Sequence, residues 1–97
     1  MIDLEKAIEL AYKEAKKAFT KDEVPIGSVI ILNDKIIAKA HNLTEKNHDV
    51  TSHAEILAIK KAAKKLNDWR LNNATLITTL EPCPMCADAI QKSRIKM

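Results

Sequence analysis

Two short stretches of the sequence supply side chains that can bind a metal. His53 is followed two residues later by Glu55, and Cys83 is followed three residues later by Cys86. One imidazole and two thiolates make three zinc ligands, which leaves the fourth tetrahedral position open for water. A structural zinc usually has four protein ligands, so this set favours a catalytic Zn²⁺, one per chain. The Glu55 carboxylate is left free to carry a proton.

The chemistry of such a site would be hydrolytic. Zinc lowers the pKa of a bound water from about 16 towards 7. Glu55 would accept the proton of that water and pass it to a leaving nitrogen. The order H-x-E followed by P-C-x-x-C is the signature of zinc-dependent nucleobase deaminases, in which an exocyclic amine leaves the ring. We therefore predict hydrolysis of a carbon–nitrogen bond on a base.

Each part of this pattern has a simpler explanation when it is taken alone. A C-x-x-C pair can be a redox centre or half of a structural zinc site. His53 could be a buried or helix-capping histidine, and Glu55 could be only a capping residue. The two stretches occur together and in the expected order, which favours the metal site over these separate explanations.

The composition is that of a small globular domain. The chain has 97 residues, 46% of them hydrophobic, and only three aromatic residues, so its core must be aliphatic. No apolar run approaches the roughly 18 residues of a membrane span, and residues 1–5 do not resemble a signal peptide. We expect one domain over residues 1–97, in the cytoplasm and without membrane contact. The net charge of +3 would suit a nucleic-acid partner, although a solvated helix face explains the lysines more simply.

Hydrophobic periodicity predicts the order helix, strand, strand, helix, strand, helix. The predicted ranges are 3–19, 27–32, 35–40, 52–67, 74–80 and 83–94. Asp3 is the predicted N-cap of the first helix, Ser52 and Glu55 form a predicted capping box, and residues 41–50 form a loop. A strand, a crossover helix and a second strand make a parallel pair. The predicted fold class is therefore α/β.

This order places both metal-binding stretches at helix N-termini, where sites gather in open α/β sheets. Cys83 and Cys86 share one helix face, and we expect the positive end of that helix to lower the pKa of the thiols. His53 and Glu55 would point to nearly opposite sides of a regular helix. We therefore expect His53 in the first, end-exposed turn, where its side chain can reach over the helix terminus.

The sequence resembles the tRNA-specific adenosine deaminases of the cytidine deaminase superfamily over nearly its whole length. The similar stretches are residues 23–27, 41–42, 48–49, 51–55, 69–71, 79–83, 85–86, 89–90 and 93–95. The resemblance implies a cytidine-deaminase-like three-layer α/β/α sandwich, here truncated after the third strand and third helix. It also implies zinc on His53, Cys83 and Cys86. Glu55 would be the proton shuttle.

The resemblance implies a substrate as well. Members of the family convert the wobble adenosine of a tRNA anticodon stem-loop to inosine, and they usually form homodimers. Asn42 is implied to contact the base through its side-chain amide, although the residues alone suggest only a turn at a strand end. The backbone at Ala54 is implied to lie in the base pocket. Val24 and Ile26 would line that pocket.

Two features depart from the pattern of the family. Pro84 gives the run E-P-C-P-M-C, which also resembles guanine deaminases, so a guanine or pyrimidine-nucleotide substrate is an alternative. The chain stops at Met97, before the two further strands and the last helices of the family. This stop would expose an apolar edge at residues 76–80, so we expect self-association through the third strand. A zinc-binding fragment without activity is the third hypothesis.

Overall fold

The computed structural model describes residues 4–96. Its elements are α1 (Leu4–Thr20), β1 (Gly27–Leu32), β2 (Lys35–His41), α2 (Thr44–Asn47), α3 (Ala54–Leu66), β3 (Thr75–Thr78) and α4 (Pro84–Lys92). The predicted order is confirmed, except that the one-turn helix α2 interrupts the predicted loop. Asp3, the predicted N-cap of α1, lies outside the described residues. No helix within residues 4–96 is both long enough and apolar enough to cross a membrane.

The three strands form one sheet in the order β2–β1–β3, and both neighbouring pairs are antiparallel. β2 and β3 therefore run in the same direction but do not touch as a pair. The predicted parallel pairing is wrong because β1 lies between these two strands. Val29 and Ile30 in β1 are fully buried, as expected of a central strand that is covered on both faces.

Helices cover both faces of the sheet. Val29 packs with Ala7 and Ala11 of α1 on one face. Ile30 belongs to the larger core on the other face, which contains Ala58 of α3 and Ile90 of α4. These two cores are aliphatic, as the composition predicts. The arrangement confirms the predicted α/β/α layers.

Gly27 lies where α1 approaches the sheet most closely. A Cβ atom at this position would lie 2.6 Å from the Ala15 backbone nitrogen and 2.8 Å from the Glu14 Cβ atom, and it would also clash with the Ala11 carbonyl oxygen. Only glycine lets the helix and the strand come so close. Gly27 pairs with His41 across the hairpin, so this contact also sets how α1 lies against the end of β2.

β3 is an edge strand of the described sheet, and its outer side is partly covered. The Leu76 N–H donates to the Lys96 carbonyl oxygen at 2.6 Å, and the Lys96 N–H donates to the Ala74 carbonyl oxygen at 3.0 Å. Leu76 itself is buried, whereas Leu80 is exposed. The prediction of an exposed apolar edge is therefore wrong for Leu76, whose side chain faces the core, and is confirmed for Leu80.

Candidate metal centre

The N-termini of α3 and α4 bring the three predicted metal-binding side chains together. His53 is the N-cap residue of α3 and Cys83 is the N-cap residue of α4, and both have extended backbone angles. Cys86 lies in the first turn of α4. The His53 Nδ1 atom lies 3.6 Å from the Cys83 sulfur and 3.4 Å from the Cys86 sulfur. The three ligand atoms therefore surround a common point.

The spacing of these atoms suits a tetrahedral zinc. Zinc bonds of about 2.1 Å to nitrogen and 2.3 Å to sulfur place the two ligand atoms roughly 3.6 Å apart at a tetrahedral angle. All three ligand atoms lie within 4.8 Å of one another. Both cysteines are free thiols. Within residues 4–96, this is the one group of three His, Cys, Asp or Glu residues that could hold a metal.

Glu55 supplies a buried carboxylate beside this group. Glu55 is only 3% exposed, and its Oε1 atom has no hydrogen-bond partner among the described residues. A buried polar atom without a partner costs roughly 1–3 kcal/mol, and more when it is charged. Glu55 also lies close enough to Cys86 to affect its ionisation. An unpaired carboxylate oxygen next to two sulfurs and an imidazole fits a site that holds a metal and its solvent ligand.

Burial, together with the nearby Glu55 carboxylate and Cys83 thiol, raises the pKa of the Cys86 thiol to about 12. The predicted lowering of the thiol pKa is therefore wrong for Cys86, because loss of solvation outweighs the helix dipole. A bound divalent cation reverses this balance, since a coordinating thiol is deprotonated. The donor set thus fits zinc, and the cation would supply the positive charge that the protein around Cys86 does not.

The N-cap position of His53 removes the conflict with Glu55 that a regular helix would create. The extended backbone of His53 directs its ring across the end of α3 to the sulfurs of α4. The predicted capping box is wrong, because the N-cap residue of α3 is His53, one residue after the predicted Ser52. Ser52 lies outside the helix, and its hydroxyl oxygen accepts a hydrogen bond from the Asn47 side-chain amide at 3.1 Å.

The residues implied to bind the base lie at three places around the end of the sheet. Asn42 is buried, and its backbone N–H donates to the Ile26 carbonyl oxygen at 3.1 Å. Ala54 is fully buried as the first residue of α3, directly after His53. Val24 is more than half exposed. The structure therefore brings Asn42 and Ile26 together and places Ala54 directly after His53, while the Val24 side chain lies largely at the surface.

Two buried carboxylates at this end of the sheet do not stand out in the sequence. Glu14 lies on the buried face of α1 and contacts His41 Nδ1 at 3.0 Å and Lys17 Nζ at 2.7 Å. Glu23 is also buried and binds two backbone amides. The sequence contains one indication that Glu14 is buried: it lies among the alanines that form the buried face of α1 and is the only charged residue on that face. Glu23 belongs to a stretch that carries the family resemblance, but nothing in that stretch indicates a role.

Comparison with known proteins identifies relatives over nearly the whole chain. The sequence profile of the cytidine and deoxycytidylate deaminase zinc-binding region matches residues 1–97. A tRNA-specific adenosine deaminase of Bacillus subtilis (strain 168) is 57% identical over 86 residues, which make up 89% of this chain and 53% of the relative. This chain therefore spans about half the length of that protein.

Two solved structures have closely similar backbones. One comes from a study of A-to-I editing by tRNA:A34 deaminases at the wobble position of transfer RNA. It is 49% identical, with a TM-score of 0.90 over 92% of this chain and 68% of the other. The second is a guanine deaminase from Bacillus subtilis, which is 34% identical, with a TM-score of 0.92 over 99% of this chain and 64% of the other.

Proposed function

The chain belongs to the cytidine and deoxycytidylate deaminase zinc-binding family, and on this basis we propose that it deaminates adenosine to inosine at the wobble position of a tRNA anticodon. The observation that carries this proposal is the unpaired, buried Oε1 atom of Glu55 beside the cluster of His53, Cys83 and Cys86. The tRNA-specific names of the relatives support the choice of substrate.

We assign His53, Cys83 and Cys86 as the ligands of one Zn²⁺ and Glu55 as the catalytic residue. When bound, zinc supplies the positive charge that makes water a nucleophile at neutral pH. Glu55 would take one proton from a water held at this site and deliver it to the exocyclic amine of the base, while the second proton of the water would end on the ring nitrogen N1. In the overall reaction a carbon–oxygen bond forms at C6, the carbon–nitrogen bond breaks, and ammonia leaves.

We assign base binding to Asn42, Ala54, Ile26 and Val24. The side-chain amide of Asn42 offers both a donor and an acceptor to a base edge. The first intrahelical hydrogen bond of α3 is donated by the Leu57 N–H to the His53 carbonyl oxygen. The Ala54 amide precedes that bond and has no acceptor within the helix, so it can donate to a substrate.

Inosine formation in a defined RNA tests the proposal. The zinc-loaded chain would be incubated with an anticodon stem-loop that carries adenosine at the wobble position, and the digested RNA would be analysed by mass spectrometry. We expect inosine with this RNA and none with a matched stem-loop whose only adenosines lie outside the wobble position. A chain that holds zinc but forms no inosine would contradict the proposed activity and would favour the fragment hypothesis.

Guanine deamination is a second candidate, because a guanine deaminase has a closely similar backbone and Pro84 gives the run of residues 81–86 that resembles those enzymes. Free guanine fits the same zinc chemistry, since its exocyclic amine also leaves as ammonia. Ammonia release from free guanine, without inosine in the stem-loop, would select this candidate. Release from a pyrimidine nucleotide alone would select the remaining alternative.

We also propose that the chain self-associates along β3, as a homodimer. A groove of about 370 Å³ lies beside this strand, and its lining includes Leu4, Ile8, Ile77 and Leu80. Leu80 is 57% exposed, and an apolar strand edge favours pairing with a second chain. Light scattering at micromolar concentration should give a particle larger than the monomer. A monodisperse monomer would contradict this proposal.

Residues 1–97 are proposed to form one zinc-binding domain that works in the cytoplasm. The family profile spans this whole range, and the larger core joins residues from the hairpin, α3, β3 and α4. Two free cysteines suit a compartment in which thiols stay reduced.

A further inference from the structure

We propose that Glu23 is a positioning residue that holds Asn42 in place for the base by anchoring helix α2. The inference rests on the proposed role of Asn42 in base binding. Glu23 is only 5% exposed. One of its carboxylate oxygens accepts a hydrogen bond from the Glu45 N–H at 3.0 Å, and the other accepts one from the Lys46 N–H at 2.8 Å. Both oxygens are therefore used on the first turn of α2.

Helix α2 needs such an anchor at its first turn because it is short and exposed. It has only four residues, none of them buried, and a helix this short does not form alone in water. Its N-cap residue is Leu43, which makes no side-chain hydrogen bond to the helix amides. The first amides of a helix have no intrahelical acceptors, and Glu23 supplies these acceptors from a distant part of the sequence. The hydrogen bonds from these amides outweigh burial and lower the pKa of Glu23, so the carboxylate stays charged at neutral pH.

Helix α2 in turn contacts the Asn42 side chain. The Asn42 Nδ2 group donates a hydrogen bond to the Thr44 hydroxyl oxygen at 3.2 Å, and Thr44 is the first residue of α2. The backbone N–H of Asn42 is fixed separately, by the Ile26 carbonyl oxygen. Movement of α2 would therefore leave the Asn42 backbone in place while it releases the side-chain amide. This separation predicts an effect on base binding rather than on the sheet.

Residues 43–52 lead from Asn42 to His53, and hydrogen bonds that do not involve Glu23 hold the end of this segment near the metal centre. The Leu43 N–H donates to the Ser52 carbonyl oxygen at 2.9 Å, and the Asn47 side-chain amide donates to the Ser52 hydroxyl oxygen at 3.1 Å. His53 is held at the end of α3, where its carbonyl oxygen accepts the first helical hydrogen bond from Leu57. We therefore expect loss of the Glu23 carboxylate to leave zinc binding unchanged.

Glu23→Gln tests this role with little change in side-chain volume. Glutamine keeps one acceptor oxygen but turns a donor group towards one of the two amides, so one hydrogen bond is lost. Glu9→Gln is the matched control, because Glu9 is exposed on α1 and loses the same charge. Glu23→Asp is a milder variant that keeps the charge, in case the glutamine variant does not fold.

Three measurements on the zinc-loaded chain separate positioning from a purely structural role. We expect a zinc-to-protein ratio equal to that of the unmodified chain, and hydrogen exchange at least tenfold faster in residues 45–49 but not in α1 or α4. We expect KM for the stem-loop to rise roughly tenfold, which corresponds to the loss of about one neutral hydrogen bond between Asn42 and the base, with a smaller change in kcat. In an Asn42→Ala background the same substitution should raise KM less than twofold, because the side chain that Glu23 positions is already absent.

Uniformly faster exchange over the whole chain, or unchanged exchange in residues 45–49, would overturn the proposal. The proposal would also be overturned if the rise in KM of the double variant equalled the product of the rises caused by Glu23→Gln and Asn42→Ala alone. If the unmodified chain forms no inosine, the proposed function fails. The exchange pattern would still show whether Glu23 anchors α2, so the two failures can be told apart.

Discussion

His53 Nδ1 and the Cys86 sulfur lie 3.4 Å apart, although 33 positions of sequence separate the two residues. The contact exists because α3 and α4 begin side by side on the same face of the sheet. Each helix contributes its N-cap residue, and α4 adds Cys86 from its first turn. The cluster of these three side chains therefore depends on how the sheet places the two helix starts, and not on either motif alone.

Removal of one sulfur should abolish tight zinc binding. Cys86→Ser leaves two of the three proposed protein ligands, and we expect zinc affinity to fall more than about 100-fold, beyond the loss typical of a mutated outer-shell partner. Competition with a chromophoric chelator measures this change. Met85→Ala, one position earlier in α4, is the control and should bind zinc normally. Equal affinity of the Cys86 variant would show that its sulfur is not a ligand.

The contact between α1 and Gly27 should not tolerate a side chain. A methyl group at this position meets the backbone of α1, which cannot move aside as a flexible side chain would. We expect Gly27→Ala to lower the free energy of unfolding by about 1–3 kcal/mol, as overpacking of a core does. Urea denaturation measures the loss. Lys39→Ala, at an exposed position of β2, is the control, and a comparable loss in that variant would contradict the packing argument.

The elements and the cluster of His53, Cys83 and Cys86 could be predicted from the sequence because both depend on local spacing. The stripe of α1 repeats every three or four residues, and the three clustered residues are marked by their type and interval. The pairing of β3 with β1 could not be predicted in this way, because it depends on which edge of the hairpin is free. Helix α2 was missed for a related reason. Its stabilising carboxylate, Glu23, lies some twenty residues earlier and gives no periodic signal.

The raised pKa of the Cys86 thiol could not be predicted from the sequence either. A helix N-terminus lowers the pKa of an exposed thiol, and the spacing of the two cysteines suggests that outcome. Burial of Cys86 reverses it, and burial is a property of the packed core. Glu14 shows the same limit, because its burial and its partners come from the packing of α1 against the end of β2.

Glu14 should make the stability of the chain depend on pH in the acid range. Burial opposes its ionisation, but hydrogen bonds from His41 and Lys17 outweigh this effect, and the pKa of Glu14 lies below its ordinary value. The charged form therefore stabilises the fold above about pH 4.3, the pKa of an unfolded glutamate. This contribution is lost as the pH falls through the lower pKa of folded Glu14.

The variant Glu14→Gln tests this dependence. At pH 7 we expect it to be less stable than the unmodified chain by about 1–3 kcal/mol, because the hydrogen bonds from His41 and Lys17 lose their buried, charged acceptor. The difference should shrink in urea titrations between pH 5 and pH 3, because the unmodified chain loses its advantage there. The groups that face this carboxylate are Lys17 and His41, whose other ring nitrogen contacts Lys21. The same shrinking difference in the exposed variant Glu9→Gln would contradict this assignment.

A charge at the open edge of the sheet should weaken self-association. Leu80 is exposed next to β3 and lines the groove beside it. Leu80→Lys places a charge where a second chain would pack, and charged residues protect strand edges in this way. We expect the fraction of associated chain in sedimentation experiments to fall severalfold. Val50→Lys, at an exposed position outside the strands, is the control, and an equal effect there would point to net charge as the cause.

Glu55→Gln should separate metal binding from catalysis. Burial is the larger cause of the raised pKa of Cys86, and the Glu55 carboxylate adds to it. Removal of that negative charge makes ionisation of the sulfur easier, so zinc affinity should stay equal or increase. Inosine formation should fall by about 10²–10⁴-fold, the range typical for loss of a general acid–base group. Chelator competition and inosine analysis measure the two properties on one sample. Asp88→Asn is the control, because it removes the same charge at an exposed position of α4, and it should alter neither property. Loss of zinc together with activity in Glu55→Gln would show that this carboxylate serves the metal site rather than proton transfer.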